Sequence, residues 1–185
     1  CVAGVLRLWN IDDARTIASI DPPKDAHAMP HPAVHSVAFS NDGTQIAAGL
    51  DEEIHVWKTV EFGSEKKACV FKFGAYQSLA FSPDGKLLLA DSNSYLQLLD
   101  LEAGKFVWGY GLDHPGQIAF YRSGSKRLLV SAGTDVRALD EETKTEPMPL
   151  RGPAGHVQAV AVSPDGRYVG AGAGGFFVRM AAFWD

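Results

Sequence analysis

Apolar positions alternate with small or polar ones in short runs, and turn-forming residues separate the runs. Val37-Ala38-Phe39-Ser40 leads into Asn41-Asp42-Gly43, and Leu79-Ala80-Phe81-Ser82 leads into Pro83-Asp84-Gly85. Ile118-Ala119-Phe120 is followed by Tyr121-Arg122-Ser123-Gly124, and Val160-Ala161-Val162-Ser163 by Pro164-Asp165-Gly166. A period of two is the mark of a strand with one strongly apolar face. Glycine accepts positive φ at little cost, so each Asp-Gly lets the chain reverse. Proline before Asp84 and Asp165 fixes the entry to the turn.

The four turn glycines are spaced by 42, 39 and 42 residues, so the pattern is an internal repeat. In each copy a second run follows the turn: 45–49, 86–90, 127–131 and 167–171. A third run comes next, at 54–57, 96–99 and 136–139, and then a more variable fourth at 68–73, 105–110 and 146–150. The unit this predicts is a four-stranded antiparallel meander of about 40–45 residues, the size of one propeller blade. Alternate positions are often Ala, Gly or Ser, so both faces can be packed. Such a sheet must then lean on its neighbours, and radial stacking also protects its edges.

These residues resemble the WD-repeat β-propeller family along nearly the whole chain. The strongest likenesses are 36–40 with Asp42-Gly43, 79–85, and the third-strand endings Val5 to Asn10 and Ile54 to Lys58. A Gly-His pair opening a repeat occurs once, as Gly155-His156. The resemblance implies an all-β fold, a β-propeller of four-stranded antiparallel blades, here an incomplete ring of about four to five. It also implies a pinning network of His, Ser or Thr, Asp and Trp in each blade. In the first complete blade Asp51 and Trp57 fall at two of those positions, the Ser/Thr position holds Ala, and no His is assigned. Leu99 and Leu139 stand where the next blades would carry Trp, and residues 176–184 look like an insertion that displaces Trp184-Asp185 from the usual ending. Packing and backbone hydrogen bonds are therefore expected to dominate. Asp51, Trp9, Trp57, Asp42, Gly43, Asp84, Gly85, Asp165 and Gly166 are assigned structural roles, with Trp9 and Trp57 in the core between blades.

The register assigns a partial blade to 1–20, blades to about 33–73, 75–110 and 115–150, and a last partial blade to 156–185. The chain reads as an excerpt of a longer ring. The rival is a compact four-bladed ring closed by its first and last partial blades, in which two third strands would compete for one slot.

Composition changes this picture little. Apolar residues make up 46% of the 185 and charged residues 21%, which suits a globular domain. The formal charge is −5 with no long basic run, which argues against a grip on nucleic acid. No apolar stretch approaches the roughly 20 residues that span a bilayer, so no membrane partner is expected. The compartment stays open, with the cytoplasm favoured. Cys1 and Cys69 make no disulfide framework and read as reduced thiols.

Candidate chemistry is sparse. His27, His31 and His35 are spaced four apart, as zinc ligands on one helix face would be, but Pro30 and Pro32 break a helix there and leave a connector between blades. Asp12-Asp13, Asp51 to Glu53 and Glu141-Glu142 fall in turns and read as solvated charge. Gly170 to Gly175 is followed by a strand-like run, unlike a phosphate cradle. No catalytic, metal or cofactor-binding residue is assigned, and no cofactor is expected. Trp108 and Tyr110, on an outer strand, read as inter-blade packing ahead of a contact anchor.

What remains is a binding surface. In the resembling family the connectors leading into first strands gather on one face, which binds peptides or protein surfaces. Aligned on the turn glycines, the positions lining its mouth are His35, Gln77, Gly116 and Gln158, with Tyr76 and Gln117 beside two of them. The expectation is a non-catalytic protein-interaction scaffold using His35, Tyr76, Gln77, Gln117 and Gln158. Its partners would be proteins or peptides, with oligomeric state open. The alternatives are a propeller-type hydrolase or oxidoreductase, since fold does not settle function, or a regulatory module fused to a catalytic domain such as a kinase.

Overall fold

A computed structural model describes residues 5–20, 33–64, 69–72, 76–92, 95–111, 117–123, 126–132, 136–140, 148–150, 157–163, 168–174 and 179–184. Strands dominate them, with one short 3-10 turn at Thr59–Glu61. Five antiparallel sheets follow one another along the chain, each a meander in sequence order. The first pairs β1 (Leu6–Trp9) with β2 (Thr16–Ile20). The second runs β3 (Ser36–Phe39), β4 (Gln45–Gly49), β5 (Glu53–Lys58) and β6 (Cys69–Lys72). The third runs β7 (Tyr76–Phe81), β8 (Leu87–Ser92), β9 (Tyr95–Asp100) and β10 (Lys105–Gly111). The fourth runs β11 (Ile118–Ser123), β12 (Lys126–Ala132), β13 (Val136–Asp140) and β14 (Met148–Leu150). The fifth holds β15 (Val157–Val162), β16 (Val169–Gly174) and β17 (Arg179–Trp184).

The first strands β3, β7, β11 and β15 neighbour one another in that order, which is the inner row of a propeller arc. Among the described residues the arc does not close into a ring. Alternation sends the two faces of each sheet to different neighbours. In the second sheet Ile46, Ala48 and Trp57 pack with Leu6 of the first. Ala47, Ile54, Val56 and Phe71, on its other face, pack with Leu79, Phe81, Leu88, Ala90 and Leu99 of the third. The third sheet's far face sends Leu89, Leu96 and Leu98 against Ile118 and Phe120 of the fourth. The core is thus a row of seams between sheets.

The turns that join first to second strands in the second and third sheets share one construction, and one bond of it recurs in the fifth. Ser40 Oγ donates to Asp42 Oδ1 at 2.6 Å and accepts from the Gln45 N–H at 2.9 Å. Ser82 does the same with Asp84 and Leu87, at 2.6 and 2.9 Å. Ser163 Oγ accepts from the Tyr168 N–H at 2.9 Å. Gly43 and Gly85 both take φ of +70°, the left-handed conformation these turns require. Gln45 Nε2 also donates to the Gly85 carbonyl at 2.9 Å, tying one sheet's turn to the next.

Several expectations are corrected. Residues 121–123 do not begin a turn: β11 continues through them and pairs down to Ser123 opposite Lys126. Trp184 is not displaced by an insertion. It pairs with Val169 as Trp57 pairs with Ile46 and Leu99 with Leu88, each three residues past its turn glycine. Trp57 is 1% exposed, as expected, but Trp9 is 51% exposed and is no core residue. Alternation along β1 sets it on the face opposite Leu6 and Leu8, and among the described residues no sheet covers that face. Asp165, Gly166 and Cys1 lie outside the described residues.

Candidate functional site

The meander decides what the candidate face contains. Tyr76, at the start of β7, pairs with Ser92 at the end of β8, Ser92 with Tyr95 at the start of β9, and Tyr95 with Gly111 at the end of β10. Connectors into first strands and connectors between second and third strands therefore share one end of each sheet. His35 enters β3 at that end, and Asp51 sits in the β4–β5 connector beside it.

These two residues form the best-defined polar contact of the face. His35 Nε2 lies 2.6 Å from Asp51 Oδ1, and Asp51 Oδ2 accepts from the Ala33 N–H at 2.9 Å. An ionised carboxylate only accepts, so Nε2 carries the proton in this pair. Hydrogen bonds from His35 and then Ala33 hold the Asp51 carboxyl below the ordinary aspartate range. The backbone is pinned as well: the His35 N–H donates to the Gly49 carbonyl at 2.9 Å. The imidazole side chain nonetheless stays 34% exposed. It is fixed in direction and open to a partner.

A second cluster lies on β5 and β6. Glu53 Oε2 is 2.6 Å from His55 Nε2, and Glu53 Oε1 is 3.0 Å from Lys72 Nζ. His55 meets Trp57 edge-on at 5.5 Å. The Glu53 carboxyl is held low, first by His55 and then by Lys72. Asp51 and Glu53 are therefore not the merely solvated charges their turn setting suggests, because each is opposed by a histidine.

Of the other expected site residues, Gln117 is exposed where the chain enters β11. Gln77 and Gln158 occupy matching places: each is skipped in the pairing of its strand, between Tyr76 and Ser78 and between Val157 and Ala159. Such an irregularity at a strand's entry re-aims a residue away from the ladder. The side chains of Tyr76, Gln77 and Gln158 lie outside the described residues, as do Gly116, His27 and His31. Trp108 and Tyr110 are half-buried against the seam between the third and fourth sheets, so packing accounts for them. Cys69 is a free thiol donating to the Leu101 carbonyl at 3.2 Å, its pKa raised by burial and by Asp100. Among the described residues no group of His, Cys, Asp or Glu is placed to hold a metal ion, and no helix is long and apolar enough to cross a membrane. Sequence reasoning passes over Asp91, whose one signal is an acid ending the apolar run 87–90.

Residues 24–58 match the family model described as WD domain, G-beta repeat. That segment spans the candidate His35, the Ser40-to-Gly43 turn, Asp51 and the Trp57 strand. No curated protein matches the chain. WD repeats generally mediate protein–protein interactions and are typically not catalytic. Residues 24–58 are thus similar to a WD repeat, and the serial antiparallel sheets that lean face to face, most of them four-stranded, have the architecture of incomplete β-propeller blades.

Proposed function

We propose that the chain is a non-catalytic interaction scaffold that binds peptides or protein surfaces at the face holding His35, Tyr76, Gln77, Gln117 and Gln158. The observation that supports it most is the His35–Asp51 pair: a half-open imidazole whose ring is aimed by a carboxylate and whose backbone is held by the neighbouring strand. A neutral ring protonated on Nε2 presents Nδ1 as an acceptor, which suits a backbone or side-chain N–H of a bound segment. Glutamine supplies donors and an acceptor, and tyrosine an amphipathic ring, which suits recognition of a polar chain. A surface already in place avoids much of the ordering cost of binding. As blades we assign 1–20, 33–73, 75–110, 115–150 and 156–185, the first and last being partial.

The test is a quantitative pull-down with the wild-type chain and a variant carrying alanine at all five positions. Circular dichroism checks that both fold alike. We expect partners retained by the wild type to be lost by the variant. If every partner stays bound to the variant, this face is not the binding surface.

A further inference from the structure

The third sheet carries a buried acid with no neutralising partner among the described residues. Asp91 lies near the end of β8 and is 0% exposed, and neither carboxyl oxygen has a hydrogen-bond partner among the described residues. Its cross-strand neighbours are Ser78 on β7 and Leu96 on β9. It therefore shares the sheet face of Leu96, which packs against Ile118 and Phe120 of the fourth sheet. The Ser78 hydroxyl accepts from the Ile118 N–H at 3.3 Å and joins the two sheets at this level. A second polar atom on the same face, Trp108 Nε1, is also buried without a partner among the described residues.

We propose that Asp91 is a pH-sensitive latch on the seam between the third and fourth sheets, closed while its carboxyl is protonated and loosened when it ionises. A neutral carboxyl is tolerated in an apolar seam, whereas a carboxylate without a donor or counter-charge is costly there. Among the described residues no cation is packed against it. Tyr110 on β10 is the other titratable side chain packed into that seam among the described residues. By register, Arg137 on β13 falls in the cross-strand row of Ile118 and Ser131, and Arg122 lies at the far end of β11. Burial raises the Asp91 pKa from 3.8 to about 7. The unfolded chain ionises at the lower value. Between the two, the folded state keeps a proton that the unfolded state has lost, so stability falls as pH rises through that window and levels off above it. The latch sits at the same end of the sheet as Gln77, but its test needs no binding partner and stands apart from the scaffold reading.

The experiment compares urea unfolding of the wild-type chain and Asp91→Asn from pH 4 to 8.5. The wild-type folding constant should drop about tenfold per pH unit relative to the variant between pH 4 and 7, then run parallel to it. Asp91→Ser repeats the comparison should the asparagine fail to fold. On the wild type alone, carboxyl-carbon NMR follows the Asp91 titration directly. Exchange of the Ile118 amide should speed up from pH 6 to 8 by more than the chemical rate. A carboxyl already ionised at pH 5.5, as it would be if Arg137 reached it, overturns the proposal. So does a wild-type-to-variant difference that stays flat across the range.

Discussion

At the scale of single residues, the turn serines do more than their size suggests. A hydroxyl that takes the N–H of the residue five positions on and also donates to an aspartate closes the loop from within. Ser82 is fully buried, so Ser82→Ala should cost about 1–3 kcal/mol, the price of stranding the Leu87 N–H. Ser163→Ala should cost less, because its hydrogen bond to Tyr168 is exposed; urea unfolding of the two variants gives the comparison. Glycine contributes by conformation. Gly43→Ala and Gly85→Ala each force φ of +70° on a side chain, at about 1–2 kcal/mol. Gly85→Ala should be the worse, since its new methyl would sit 3.4 Å from Gln45 Nε2 and crowd the tie between sheets. The serine-to-glycine turns are plain in the letters of the sequence. The His35–Asp51 pair is not, because sixteen residues separate its members and only the meander brings them to one end. Its linkage has the ordinary acid sign. Asp51 titrates below its unfolded value, so its contribution is present above that value and is lost as pH falls through the folded one. Melting temperatures between pH 5 and 2.5 should therefore fall more steeply for the wild type than for Asp51→Asn, by a small margin because the pair is partly exposed.

At the scale of elements, face assignment decides which apolar residue matters. Leu89 faces the fourth sheet and is fully buried, so Leu89→Ala should cost about 2–5 kcal/mol in thermal or urea unfolding. Val37, on β3, is half-exposed, and Val37→Thr should fall within about 0.5 kcal/mol of the wild type. Strand order and type were legible because a period of two with glycine turns leaves little choice. Two features were not legible, and both concern register. The run 121–123 carries the polarity of a turn but is strand, because the pairing with β12 continues to Lys126. Residues 176–184 look inserted, yet β17 delivers Trp184 to the position that Trp57 holds in its own sheet. Polarity reports what a residue prefers, whereas register is set by the partner strand. Asp91 escaped notice for a related reason: one acid at the end of an apolar run reads as the strand's exit, while the register buries it two residues before the connector.

At the scale of the whole molecule, seams between consecutive sheets replace a single core, and each sheet depends on its immediate neighbours. That arrangement makes the outermost surfaces the vulnerable ones. Among the described residues β1 pairs with β2 alone and β17 with β16 alone, so each presents one edge without a strand. On the second sheet Val37 and Phe39 share the face of Ala48 and Ile46, with which they pair. They remain 50% and 52% exposed, although Ile46 and Ala48 themselves are covered by the first sheet. The two strands of that sheet are too few to reach across to β3. An apolar inner strand beside an open edge is a template for association. The 185-residue chain in isolation should therefore self-associate as its concentration rises, seen as a shift to larger species in sedimentation velocity. Val37→Lys combined with Phe39→Lys should move the distribution back toward monomer with an unchanged circular dichroism spectrum, because neither side chain is buried in a seam. An identical distribution for wild type and variant would place the association elsewhere, with the open edge of β17 the next surface to charge.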